Sequence, residues 1–425
     1  MRVLWLCNVV LNDFAEEFKI RRKPFGGWME GLLHCLRDIP ELEIGVCFPV
    51  YDEDRMRNGV HLGHRYYSFQ GRMDRERYAE TMSDEFCCII QDFQPDIVYI
   101  WGTEYNHSYA LMEACCKMGL QERVIVHVQG LVSICARHYV LGIPYGCLKE
   151  ESGELNGIME GKHHFEKQGK IENSLLAKAK FIVGRTEWDR ICIREANPHA
   201  MYLPCDELLR EGFYRMDSWV LDKCTRYRIF LSQASYPVKG AHFAFRALPW
   251  ILEEFPDAEV YIGGADPTLP DRNGRISDYG RLLLDEMEQL GIRGHVHFLG
   301  LLSTMEMIDE YLKAHIFISP STIENSSNSI CEAMMLGVPV VASYVGGTPS
   351  LVSHGKDGYL YPCDAPYMMA GYVQQIFGSD DLVEKISKEA RRTAKKRHSA
   401  QKVIERALEI YHLVDVQAQH SGGIL

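Results

Sequence analysis

Two glutamates eight positions apart, Glu324 and Glu332, and a lysine followed by glycine, Lys239-Gly240, are the residues whose types and spacing suit chemistry. Glu324 opens the run Glu324-Asn-Ser-Ser-Asn-Ser-Ile-Cys-Glu332, a polar, turn-rich loop that passes into an apolar helix ending at Gly337. A buried strand over 339–342 and a loop with Gly346-Gly347 follow. Carboxylates accept hydrogen bonds from hydroxyl groups, and the start of a helix offers free N–H groups to anions. The same pattern has a structural use. Ser329-x-x-Glu332 reads as a capping box, with Glu332 in the first helical turn. Glu324 lies before the helix and has no such local use. Lys239-Gly240 follows the apolar run Ile229-Phe-Leu and opens a second helix, so a cation and free N–H groups coincide as in a diphosphate site.

Short apolar runs rich in β-branched residues alternate with helical patterns along the whole chain. Val3 to Cys7, Ile44 to Phe48, Ile97 to Ile100, Val124 to Val128 and Phe181 to Val183 read as buried strands in the first half. Ile229 to Ser232, Val260 to Ile262, Val296 to Leu299, Ile316 to Ser319 and Val338 to Ala342 repeat the pattern. Alternation of this kind predicts parallel sheets covered by helices, and 425 residues exceed one ordinary core. The expected architecture is α/β, with two doubly wound, Rossmann-like domains facing across a cleft. The boundaries are 1–205 and 206–399, and a last helix over about 400–418 packs back on the first domain. In such sheets ligands bind at the carboxyl ends of strands, so motifs should follow strands directly.

Composition narrows the classes. A net charge of −12 argues against nucleic acid as a partner. The chain begins directly with a strand-like run, so no leader is expected, and no apolar run approaches a membrane span. Fourteen cysteines without a C-x-x-C spacing read as reduced core thiols, which points to a cytoplasmic chain and not to a zinc site. Asp52-Glu-Asp54 has the form of a metal-binding D-x-D but stands in a charged loop, where a solvated role fits better. The basic run Arg391 to His398 suits a solvated helix face and leaves open weak peripheral contact with the inner face of a membrane.

Taken together, Lys239-Gly240, Gly263-Gly264, Phe298-Leu299-Gly300, the two spaced glutamates, Gly337-Val-Pro-Val-Val-Ala-Ser and Gly346-Gly-Thr-Pro resemble the retaining glycosyltransferases of the GT-B fold, family 4 in particular. The resemblance is densest from 229 to 362. It implies a metal-independent transfer of a sugar from a nucleotide-sugar co-substrate, a UDP- or GDP-sugar, to a carbohydrate or other hydroxyl acceptor. Polysaccharide or glycoconjugate assembly is the usual setting, and no separate cofactor is implied.

By the same resemblance Glu324 holds the sugar and Glu332 the ribose, while Lys239 and the N–H groups of Asn325, Ser326, Ser327, Asn328 and Ser329 stabilise the leaving diphosphate. Gly263 and Leu299 approach the base, and Gly26 and Gly27 in a first-domain loop approach the diphosphate. The family's arginine ahead of the lysine is absent: its position falls on Ala234, beside Gln233. Gln129 stands where relatives carry a histidine near the reacting sugar, and glutamine cannot take a proton. His127, two residues earlier, suits a packed strand. Glu104, His107, Gln129 and Arg185 all follow first-domain strands and are acceptor-side candidates. Thr186-x-x-Asp189 reads as a helix cap. Lys19, Arg21, Arg22 and Lys23 suit a solvated loop face or an anionic acceptor. Two other readings stay open: an epimerase or phosphorylase on the same fold, and a non-catalytic GT-B binding subunit.

Overall fold

Short, mostly buried strands alternate with amphipathic helices, and the chain resolves them into two compact units, each with its own sheet. The computed structural model describes residues 1–20, 26–51, 57–71, 78, 80–149, 153 and 156–421. Unit 1 comprises 1–134, 164–208 and the chain from His398, and unit 2 comprises Cys135–His163 and Leu209–Arg397.

In unit 1 the strands are β1 (Arg2–Leu6), β2 (Glu43–Val50), β3 (Asn58–His61), β4 (His64–Gln70), β5 (Ile97–Trp101), β6 (Val124–His127), β7 (Phe181–Gly184) and β8 (Met201–Pro204). They lie in the order β3-β4-β2-β1-β5-β6-β7-β8. Pairing is parallel except in the β3–β4 hairpin. Strand order reverses direction between β1 and β5, which makes the loops after these two strands the switch point of the sheet. Alternate side chains of β1 enter the two faces: Val3 and Trp5 join one core, Leu4 and Leu6 the other. The last helix, Ala400–Ser421, closes the first of these cores with Val403, Ile410, Tyr411 and Val414, and Trp5 Nε1 donates to Tyr411 Oη at 3.1 Å.

Unit 2 holds β9 (Arg228–Leu231), β10 (Glu259–Gly263), β11 (Val296–Gly300), β12 (Ile316–Ser319), β13 (Val340–Ser343) and β14 (Tyr359–Tyr361). The order β11-β10-β9-β12-β13-β14 is parallel throughout and doubly wound, with its switch point between β9 and β12. Residues 135–163 come from inside the stretch read as the first domain, yet they pack in unit 2. Backbone groups anchor them: His242 Nε2 lies 3.0 Å from Leu141 O, Arg246 Nη1 donates to Gly142 O at 2.9 Å, and Thr322 Oγ1 donates to His138 O at 3.0 Å. Burial lowers the His242 pKa to about 3, so the neutral ring donates to that carbonyl. Anchors made to main-chain carbonyls leave no trace in residue type, which is why the sequence pattern did not reveal this strap.

All fourteen cysteines are unbridged. Among the described residues no helix is long and apolar enough to cross a membrane.

Candidate functional site

The switch point of unit 2 brings Lys239 and Glu324 together. Lys239 ends a one-turn 3-10 helix, Pro237–Lys239, that follows β9, and Glu324 lies in the loop that follows β12. Lys239 Nζ donates to Glu324 Oε1 at 2.7 Å, and Ser321 Oγ donates to the same oxygen at 2.9 Å. Burial alone would lower the ammonium pKa, but the Glu324 carboxylate outweighs it and holds Lys239 above its ordinary value. Gly240 then starts helix Ala241–Glu254 at φ +70, and a Cβ there would stand 1.9 Å from Pro320 O. Only glycine lets the β9 and β12 loops approach this closely. The Gly346-Gly347 loop supports the other side, with Gly347 N donating to Glu324 O at 2.9 Å.

Asn325, Ser326 and Ser327 are buried, and Ser327 caps helix Asn328–Leu336, accepting from Ile330 N. The expected capping box at Ser329 is therefore corrected. Glu332 is the fifth helical residue, beyond the first turn, and its carboxylate turns instead to Arg210. Arg210 Nε and Nη2 donate to Glu332 Oε1 and Oε2, each at 2.7 Å. Burial pushes the Glu332 carboxyl up, against the pull of Arg210. Gly263 ends β10 opposite Gly300, and Leu299 precedes it on β11. Gln233 follows β9 with Ser235 Oγ donating to its Oε1 at 3.3 Å, and the neighbouring Ala234 is fully buried.

In unit 1 the remaining candidates fall into two groups. The first is at the switch point. Asn8 follows β1, Glu104 follows β5, and His107 lies in helix Asn106–Lys117 with its Nε2 donating to Asn8 Oδ1 at 3.0 Å. Gly102, at φ +93, leaves room for the pair: a Cβ there would meet Asn8 Nδ2 at 2.3 Å and Glu104 Oε2 at 2.4 Å. That Glu104 oxygen is shut away from solvent without a hydrogen-bond partner. Burial, and secondarily Glu172, push the Glu104 carboxyl up to about 7, against the backbone N–H groups of Glu104, Thr103 and Gly130. Glu172 itself is fully buried and accepts from Thr103 Oγ1, Ser133 Oγ and two backbone N–H groups.

The second group centres on Glu207, which sequence reasoning missed. Gln129 Nε2 donates to Glu207 Oε1 and Arg185 Nη1 to Glu207 Oε2, while Arg185 Nη2 donates to Gln129 O at 2.9 Å. His127 is buried against Trp101, with Tyr99 Oη 2.8 Å from its Nδ1 and Glu207 Oε1 3.4 Å from its Nε2. Burial, helped by Arg185, keeps its ring neutral. Thr186 and Asp189 form the capping box read from the sequence. Gly26 and Gly27 begin helix Gly27–Arg37 in the same unit. Lys19 is exposed at a turn. Arg21, Arg22, Lys23 and Asp52-Glu-Asp54 lie outside the described residues. Among the described residues no three His, Cys, Asp or Glu side chains cluster to hold a metal.

Two doubly wound parallel-sheet units of this kind define the GT-B class. Sucrose-phosphate synthase from Thermosynechococcus elongatus matches with a TM-score of 0.71 over 97% of this chain and 99% of its own, at 14% identity. HepE from Anabaena in complex with UDP and glucose matches with a TM-score of 0.66 over 96% and 99%, at 16% identity. Residues 218–393, within the second unit, match the family described as glycosyl transferases group 1. Spore coat protein SA of Bacillus subtilis (strain 168) is 28% identical over 180 residues, 41% of this chain and 45% of that protein. The D-inositol 3-phosphate glycosyltransferase of Corynebacterium urealyticum is 30% identical over 147 residues, 34% of this chain and 33% of that enzyme. The matched region spans less than half the length of these curated relatives.

Proposed function

We propose that the chain is a retaining glycosyltransferase that moves a sugar from a UDP- or GDP-sugar to a hydroxyl of a carbohydrate or other acceptor. The observation that carries this reading is the Lys239–Glu324 pair at the switch point of unit 2, inside the matched domain and next to the helix start at Asn328. A cation and free N–H groups suit a diphosphate, and a carboxylate at the same point suits sugar hydroxyls. Donor binding exchanges partners: the diphosphate takes Lys239, and the sugar hydroxyls take Glu324. Gly263 and Leu299 then flank the base, Glu332 takes the ribose, and Gly26, Gly27, Gln233 and the 325–329 loop surround the phosphates. Glu104, His107, Gln129 and Arg185 form the acceptor side.

In the transfer step the bond from the sugar's anomeric carbon to the diphosphate oxygen breaks. The acceptor oxygen bonds to that carbon from the same face, and its proton passes to the leaving phosphate. Lys239 and the N–H groups of the 325–329 loop stabilise the charge that grows on that phosphate, so no metal ion is required. The UDP-glucose complex of HepE and the names of the curated relatives support a nucleotide-sugar donor. A cytoplasmic setting in polysaccharide or glycoconjugate assembly, with weak membrane contact through 391–398, belongs to the same proposal. A thermal-shift panel of nucleotide sugars tests it, because a bound donor raises the melting temperature by mass action. Stabilisation by one base and sugar is expected, followed by product release with a matching acceptor. A panel in which no nucleotide or nucleotide sugar shifts the melt would overturn the reading.

A further inference from the structure

The arginine that the resemblance places ahead of Lys239 is missing, and its position faces the core: Ala234 is fully buried. The same loop offers a different group. Pro237 restricts the residue before it to extended backbone, and Tyr236 is held there at φ −154 and ψ 161. Lys239 N then donates to Tyr236 O at 3.0 Å and closes the single 3-10 turn. Residues three apart on such a turn fall on one side, and Lys239 Nζ lies 5.8 Å from the centre of the Tyr236 ring. The phenol oxygen accepts a hydrogen bond from that ammonium, and the Glu324 carboxylate is close enough to act on it too. The ring is braced from behind. Tyr139, from the strap 135–163, stacks on it with centres 6.5 Å apart and planes at 26°. Gly161 makes room for Tyr139, because a Cβ there would collide with its hydroxyl oxygen.

We propose that Tyr236 is a phosphate-binding residue, whose hydroxyl donates to the same leaving phosphate that Lys239 takes and stands in for the missing arginine. The inference rests on the donor-site reading above. A hydroxyl that accepts from an ammonium is polarised, and its own proton is directed to an acceptor beside that ammonium. When the diphosphate replaces Glu324 on Lys239, phosphate oxygens arrive at that place. Burial holds the phenol above its ordinary pKa, so it remains a donor at neutral pH. A second cation here would compete with Lys239 for Glu324 before the donor binds, and a neutral hydroxyl does not. Its bond strengthens as charge grows on the departing phosphate.

The test uses the full chain and calorimetry with UDP and UMP, or GDP and GMP, whichever pair wild type binds. Tyr236→Phe keeps the ring against Tyr139 and removes only the hydroxyl. Its affinity for the diphosphate should fall about tenfold, as for one hydrogen bond to a charged group. Its affinity for the monophosphate, which lacks the leaving phosphate, should stay at the wild-type value. With the donor found by thermal shift, turnover at saturation should fall about a hundredfold, as for a lost donor to growing charge. A Tyr236→Phe protein that keeps the wild-type affinity for the diphosphate overturns the inference and leaves the donor site standing. Equal losses for monophosphate and diphosphate would mark a general disturbance of the site and overturn it as well. If Tyr236→Phe melts too early to measure, 3-fluorotyrosine at position 236 keeps the hydroxyl. Its fluorine signal should move with the diphosphate and not with the monophosphate, and a signal indifferent to the diphosphate overturns the inference. Wild type that binds neither nucleotide removes the donor-site reading itself, and the inference falls with it.

Discussion

The two sheets have equivalent switch points, and the residues there differ in how charge is balanced. Between β9 and β12, Lys239 and Glu324 neutralise each other at 2.7 Å. Between β1 and β5, Glu104 meets backbone N–H groups and lies close to the Asn8 amide rather than a cation, with a second buried carboxylate, Glu172, as its strongest charged neighbour. One strand arrangement thus supports a site whose ions are already paired and can exchange partners. It also supports a site whose acid is held between its protonated and ionised forms near neutrality. In the proposed reading the paired site of unit 2 takes the charged donor, and the neutral-poised acid of unit 1 faces hydroxyls, which both donate and accept.

Substitutions can break or sharpen this contrast. The largest effect is expected from Lys239→Ala, which should lower turnover by roughly two to three powers of ten, as for other lost donors to growing charge. Glu324→Gln should weaken donor binding and slow transfer together, because in the proposed site it touches the sugar in both states. Steady-state kinetics with the donor found by thermal shift separates the two. Normal turnover in Lys239→Ala would leave the paired site of unit 2 without a catalytic part.

Glu104 should be visible in stability alone. Its folded pKa of about 7 lies above the ordinary glutamate value of 4.5, so between these values the folded state binds more protons than the unfolded one. Stability should therefore fall as pH rises from about 4.5 to about 7 and level off above, by roughly 3 kcal/mol from this group. Glu104→Gln should remove that slope and be the more stable protein at pH 8, read by urea unfolding across pH. An unchanged slope would mean that Glu104 is compensated like its counterpart in unit 2.

Gln129→His should produce a smaller effect. If the proton goes to the leaving phosphate, the pH profile of kcat/KM should gain no new essential group. The smallest effect expected is none: transfer in excess EDTA should match transfer in manganese, since in the proposed mechanism Lys239 and the N–H groups of the 325–329 loop supply the charge. Activity abolished by EDTA and restored by manganese would contradict this.

Much of the fold could be read because strands buried on both faces leave unbroken apolar runs, as at Val3 to Cys7 and Ile316 to Ser319. The elements β3, β4, β8 and β14 could not: Asn58-Gly-Val-His in β3 and His64-Arg at the start of β4 mix in polar residues, and β8 and β14 are only 4 and 3 residues long. Lys239 and Glu324 were legible for a local reason: each lies in the segment that leaves a strand end before the next helix. Glu207 and Arg210 were not, because their partners Gln129 and Glu332 lie 78 and 122 residues away. The cap at Ser327 was misread because three serines crowd the helix start and only the fold decides which one the Ile330 amide meets.

The last helix carries a consequence for how the molecule is made. The core around Trp5 is closed by Val403, Ile410, Tyr411 and Val414, which are synthesised after all of unit 2. Unit 1 must wait with an open apolar face until this helix has been made, while unit 2, which ends at Arg397, can complete its core earlier. A chain stopped just after Arg397 would leave its oldest strands, not its newest, exposed to aggregation and proteolysis.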